Sequence, residues 1–161
     1  MEGPLENIGT LAEPPHSTTS AKIDDKGRLK LPSESLDWCK KSNISNIFAT
    51  TFDKVTVRLY PIPLWKSTLK LLESPGPQAK KGADLARVAK HYGGDAEIDA
   101  QGRILLPAAL RTLLTLESQP ICLEHLAGRM DFTTKVEYDR LLATAEENLQ
   151  DKVDTFRELG L

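Results

Sequence analysis

From Ala21 onward, apolar residues come in short runs that are cut by turn formers. "KIDD" and "RLKL" flank Lys26-Gly27, the pattern of two strands joined by a tight hairpin. Pro32 stops the second strand. "SESLDWCKK" then places Ser33 as a helix N-cap, with Leu36 and Cys39 on the buried face. Two further strands, "NIFATTF" and "KVTVRLY", meet at Asp53-Lys54, and "PIPLWKSTLKLLES" spaces Leu64, Trp65, Thr68, Leu69 and Leu72 as one helical face. "SPGPQAKKG" breaks every period and reads as a linker.

The same order of elements then recurs. A short helical run through Leu85, Val88 and Ala89 leads into "EIDAQGRILLP", residues 97 to 107, which restates "KIDDKGRLKLP", residues 22 to 32, seventy-five positions later. "AALRTLLTL" predicts the matching helix and "PICLEHL" and "GRMDF" the matching strands. A closing helix begins at Thr134 with Glu137 three residues on, the spacing of a capping box. Leu59 aligns with Phe132, Trp65 with Tyr138 and Leu69 with Leu142, now at an offset of 73, so a loop has lost two residues.

This is an internal duplication. A repeat shorter than about 80 residues rarely buries a sufficient core alone, so the two copies are expected to pack as a pseudo-dimer whose hairpins exchange and close each other's strand edges. The chain divides into a flexible N-terminal tail (1–20), a first repeat (21–73), a linker (74–83), a second repeat (84–145) and a C-terminal helical extension (146–161). In that extension Leu142, Leu149 and Phe156 recur every seven residues with Val153 nearby. One long helix is expected, and because it outruns its counterpart it is read as a contact between subunits.

Charge alters the picture only when it is located. The chain has a formal net charge of −2, which by itself argues against a nucleic-acid partner. Residues 1–20 carry three acids and no base, and residues 135–161 carry four bases and seven acids. Removing −3 at each end leaves the repeated part at +4. No stretch approaches 18 consecutive apolar residues, and the start lacks the basic and apolar regions of a signal peptide. A cytoplasmic protein with no membrane partner is expected. Cys39 and Cys122 form no CxxC and read as small buried hydrophobes.

The doubled DxxGR in "IDDKGRLKLP" and "IDAQGRILLP", with "FATTFDKVTVRLYPIPLWKS" after the first and "ARVAKHYGGDAEID" before the second, closely resembles the MraZ family of bacterial transcriptional regulators across about residues 21–143. A single such motif occurs in the wider swapped-hairpin group that includes AbrB and MazE. The resemblance implies an α+β fold of two tandem swapped-hairpin, AbrB-like β-α-β units forming a pseudo-dimeric β-barrel flanked by helices. It also implies a ring-shaped closed homo-oligomer, nucleoid-associated, that binds repeated double-stranded promoter DNA upstream of the division and cell-wall genes as a repressor. One departure stands out. "PAALR" keeps the family's Arg as Arg111, whereas "PSESLDW" has Leu36 there.

The motif residues divide by chemistry. Gly27 and Gly102 suit a turn position of positive φ, and Asp24 and Asp99 can accept backbone amides across that turn. A turn needs no guanidinium, so Arg28 and Arg103 are candidates for DNA contact, with an ion pair to the neighbouring Asp as the plain alternative. Lys22, Lys26 and Lys30 support Arg28 as a groove or phosphate-binding ribbon. In copy two Glu97, Gln101 and Leu105 replace them, so Arg103 and Gln101 are expected to contribute less. No enzyme is expected, because neither Asp has a His, Ser or Cys at matching spacing. No cofactor or metal is expected either, since His16, His91 and His125 are dispersed. Trp38 and Trp65 fall at helical positions and read as core or subunit contacts rather than stacking platforms. The rival readings are an AbrB- or MazE-type regulator or antitoxin, against which the duplication stands, and an oligomeric scaffold that binds no DNA.

Overall fold

A computed structural model describes residues 11–161. The first half supplies β1 (Thr19–Lys22), β2 (Arg28–Lys30), α1 (Ser33–Lys41), β3 (Asn46–Thr50), β4 (Val57–Pro61) and α2 (Ile62–Leu72). The second supplies α3 (Ala79–Tyr92), β5 (Gly94–Glu97), β6 (Arg103–Leu105), α4 (Ala108–Leu114), β7 (Pro120–Leu126), β8 (Arg129–Thr134), α5 (Lys135–Ala145) and α6 (Leu149–Arg157). The fold is α+β, with helices packed around antiparallel strands.

Pairing departs from the expected local hairpins at the two DxxGR turns, whereas β3-β4 and β7-β8 pair as expected. Ile23 and Leu29 form one isolated bridge across the first turn, as Ile98 and Ile104 do across the second. The strands on either side then take partners from the other half. β1 pairs with β7, β5 with β3, and β2 with β6. The result is a six-stranded sheet in the order β1-β7-β8-β4-β3-β5 and a separate two-stranded ribbon, β2-β6. No closed barrel forms among the described residues, because the large sheet ends at β1 on one side and β5 on the other.

The exchange is held by burial. Ile23, Leu29 and Leu31 of the first half and Ile104, Leu106 and Leu110 of the second are all at most 2 % exposed and share one core with Ile47, Leu59, Ile121, Leu123 and Phe132. Each such side chain is worth roughly 1.5–3 kcal/mol relative to exposure. A second cluster stacks Phe48 on Trp65 at a centroid distance of 4.3 Å, with Tyr60 and Leu64 alongside. Trp38 and Trp65 are therefore core residues.

Four boundary expectations are corrected. The part of the tail at residues 1–10 lies outside the described residues, but residues 11–20 are held against the fold. Leu11 and Ala12 pack on the core, the Trp38 indole N–H donates to the Ala12 carbonyl at 2.9 Å, and the Ala12 amide donates to Ser42 Oγ at 3.0 Å. The expected linker is shorter, since α3 already starts at Ala79. There Gly82 lies so near α2 that an added Cβ would sit 2.0 Å from the Leu72 carbonyl oxygen. Ser33 is the first residue of α1 and Pro32 its N-cap, with no side-chain capping bond, because a proline side chain has no acceptor to offer. The expected single C-terminal helix breaks at Asn148, whose φ of +52° is left-handed, and α5 and α6 result. By contrast Thr134 caps α5 and accepts the Glu137 amide, one half of the capping box, while the Glu137 carboxylate pairs with Arg140.

Both cysteines are buried and free, and burial pushes the Cys39 thiol up to about 12. His125 joins the halves differently, with Nε2 2.8 Å from the Oγ of buried Ser35 and its ring edge-on to Trp38. That burial lowers its pKa from 6.5 to about 4. Among the described residues no helix is long and apolar enough to cross a membrane.

Candidate nucleic-acid interface

The two DxxGR turns are built alike. Gly27 and Gly102 have φ of +82° and +75°, a region in which a Cβ is strained. Asp24 Oδ1 accepts the amides of Lys26 and Arg28, each at 2.9 Å, and Asp24 Oδ2 accepts Arg28 Nε at 2.8 Å. Asp99 repeats the set with Gln101, Arg103 and Arg103 Nε at 2.8, 2.9 and 3.1 Å. These donors, the Arg backbone amide foremost, hold both carboxyls below the ordinary carboxylate value. The ion pair considered for each arginine is thus present. It occupies Nε alone, while the terminal nitrogens of Arg28 and Arg103 have no hydrogen-bond partner among the described residues.

Register brings the two copies together. In the β2-β6 ribbon Arg28 stands opposite Leu105, Leu29 opposite Ile104, and Lys30 opposite Arg103. Side chains alternate along a strand. Leu29 and Ile104 are buried beneath, so the outer face carries Arg28, Lys30 and Arg103 with one leucine. Like charges placed directly opposite, as Lys30 and Arg103 are, work against strand pairing and raise the local positive potential that draws an anion. Beside this face lies an open groove of about 460 Å³ lined by Lys22, Asp24, Asp25, Arg28, Lys30, Arg103 and Ser118. Lys22, Arg28, Lys30 and Arg103 are therefore gathered in one place. Lys26 and Gln101 lie outside it, exposed at the turn tips.

Two residues that the sequence marks only as motif positions take a part in the site that it does not disclose. Arg111 of α4 lies across the first turn, so close that a Cβ on Gly27 would sit 2.1 Å from Arg111 Cδ. Its Nε donates to the Leu106 carbonyl at 2.9 Å, and its Nη1 reaches the Lys26 carbonyl at 3.5 Å and Glu117 at 3.2 Å. The counterpart of Arg111 in the first copy is Leu36, and a Cβ on Gly102 would sit 2.7 Å from Leu36 Cδ2. Leucine cannot hold a carbonyl. The one equivalent to that of Lys26, on Gln101, is bonded instead by the Lys30 ammonium from across the ribbon. Each glycine thus leaves a slot for a side chain of the other copy. The Leu36-for-Arg departure is the only trace of this in the chain.

No protein-family model matches the chain. Among curated proteins it is similar to the transcriptional regulator MraZ of Koribacter versatilis, 31 % identical over 147 residues that cover 87 % of this chain and 95 % of the relative. It is similar also to that of Nitrosomonas europaea, 31 % identical over 112 residues, 70 % of this chain and 73 % of the relative. With that of Acidobacterium capsulatum the identity is 40 % over 91 residues, 56 % of this chain and 62 % of the relative. Among solved structures, a solution structure from Pyrococcus horikoshii matches 73 % of this chain and 86 % of its own at 14 % identity and a TM-score of 0.30.

Proposed function

The chain belongs to the MraZ family of transcriptional regulators, and from that premise we propose that it is a sequence-specific DNA-binding regulator reading the duplex with the β2-β6 ribbon. The observation that carries this reading is the shared face on which Arg28, Lys30 and Arg103 meet, with Lys22 beside it in the groove. A ribbon of two strands fits the major groove, and a guanidinium whose Nε edge is fixed by a carboxylate presents its remaining donors in a set direction toward a guanine edge or a phosphate. In this reading the two copies are tandem swapped-hairpin units, and their exchange serves to place one basic strand from each copy side by side. The role is regulatory rather than catalytic and uses no cofactor.

The regulator acts as a repressor of its own division and cell-wall operon, on the nucleoid in the cytoplasm, and binds repeated promoter sites as a ring of identical chains. Self-assembly is supported by α6, whose Leu149 and Phe156 are more than half exposed, as no other part of the described chain covers them. Repeated sites in helical phase let several ribbons engage at once, so affinity multiplies.

A scaffold without DNA affinity is the second reading, favoured by the one fact that both arginines already pair with aspartate. Retention of genomic fragments on the purified protein separates the two. Enrichment of its own promoter, with log K falling by about 0.9 per phosphate neutralised against log salt, is the expected result. No enrichment, or a flat salt response, favours the scaffold. A sedimentation mass of one chain at micromolar concentration sinks the ring.

A further inference from the structure

We propose that Arg111 and Lys30 are positioning residues for DNA recognition, each holding in place the DxxGR turn of the opposite copy, so that neither recognition turn is complete within its own repeat. This rests on the reading of the ribbon as the DNA-contacting element and names what sets its geometry.

The first turn has its Asp24 carboxylate on one side, and on the other the three atoms nearest a Cβ on Gly27 all belong to Arg111. That second side is closed by α4 of the second copy. The Arg111 side chain fills the space above Gly27, its guanidinium spans the Leu106 and Lys26 carbonyls, and Glu117 neutralises it. The loop after α4 adds two backbone bonds, from the Ser118 amide to the Asp24 carbonyl at 3.1 Å and from the Ile23 amide to the Gln119 carbonyl at 2.9 Å. Arg28 follows Gly27 directly, so the same frame that fixes the turn fixes the direction of the Arg28 side chain.

The second turn is served by different chemistry. Leu36 fills the slot over Gly102, and the Lys30 ammonium holds the Gln101 carbonyl. Lys30 therefore contributes to recognition through the course of the Gln101–Arg103 backbone as well as through its charge. Arg111 is spent on two carbonyls and a carboxylate, with its side chain only 24 % exposed, so it is a support and not a phosphate contact.

The test compares Arg111→Leu, which installs the residue its counterpart position already carries, with Arg111→Lys and with Arg28→Ala. Promoter affinity is measured as a function of salt, with melting temperature, oligomer mass and hydrogen exchange of the Lys26–Arg28 amides alongside. Loss of one well-aimed bidentate contact is worth about tenfold or more in affinity. Arg111→Leu should therefore bind about tenfold more weakly, keep its mass, exchange the turn amides faster, and show the wild-type salt slope. Arg111→Lys should recover part of both affinity and protection, since an ammonium still reaches Glu117. A salt slope reduced by about 0.9 would make Arg111 a direct phosphate contact and overturn the proposal, as would faster exchange with unchanged affinity. If Arg28→Ala weakens binding while Arg111→Leu does not, positioning alone falls. If Arg28→Ala binds as the wild type does, the ribbon reading falls first.

Discussion

The turns at residues 24–28 and 99–103 have the same backbone and different keepers. In both, an aspartate takes two amides and an arginine Nε, and a glycine sits at positive φ. Above the first lies an arginine. Above the second lies a leucine, and a lysine from the neighbouring strand supplies the missing donor. The equivalence of the copies therefore lives in bonds made within five residues, and their difference lives in what the other copy sends across. The two motifs share the part of a site that folds on its own sequence. The part that is shared between copies is free to be solved twice in different ways.

The strongest way to break this comparison is to remove the glycines. Gly27→Val and Gly102→Val both force a β-branched residue to positive φ and into an occupied slot, and each should cost about 2–4 kcal/mol of stability. Gly27→Val should melt lower, because its slot is tighter, 2.1 against 2.7 Å, and is filled by an arginine tethered at three acceptors. Equal melting temperatures would show that the backbone strain alone decides.

Next in size are the arginines. Reading along each copy, Arg103 is flanked by Glu97, Gln101 and Leu105, and a lesser role is expected of it. Across the ribbon its partner is Lys30, while Arg28 faces Leu105. Arg28→Ala and Arg103→Ala should thus each lose about 1–3 kcal/mol of promoter binding per engaged chain, with similar values and unchanged melting. A loss for Arg28→Ala ten times the greater would restore the division of labour that sequence neighbours suggest.

A further effect is in pH and sharpens the comparison from outside the turns. His125 bonds Ser35, a contact with no counterpart, since Leu110 stands where Ser35 would recur. Its pKa is lowered from 6.5 to about 4, so the unfolded chain takes up a proton that the folded one refuses. Stability from this group is full above pH 6.5 and falls as pH drops toward 4. Asp24 and Asp99 are also lowered, from 3.8, and their contribution is lost only as pH falls further, through their folded values. Melting curves should decline in two stages. His125→Asn should flatten the upper one and leave the lower, which Asp24→Asn and Asp99→Asn should reduce about equally.

Much of the site was legible because it is local. The Asp-to-amide bonds, the glycine φ and the Thr134 cap all join residues at most five apart. For these the chain itself carries the geometry. Arg111 was seen only as a motif position, and its slot over Gly27 was not, because nothing near Arg111 in sequence needs it there. Residues 11–20 carry proline and polar residues that suggest a tail, yet the indole of Trp38 and the hydroxyl of Ser42 bind Ala12, and β1 completes the edge of β7.

By itself, then, the sequence determined most of the elements, the recurrence of the motif and the chemistry of each turn, since short-range hydrogen bonding and side-chain alternation depend on the nearest few residues. Tertiary structure alone decided that Ile23 and Leu29 bridge once and part, that β2 finds β6, that Arg111 lands on Gly27, and that α6 leaves α5 at Asn148. Strand edges and buried faces are satisfied by whichever surface the rest of the chain brings to them, and that choice is made by packing the two halves together, where spacing along the chain no longer has a say.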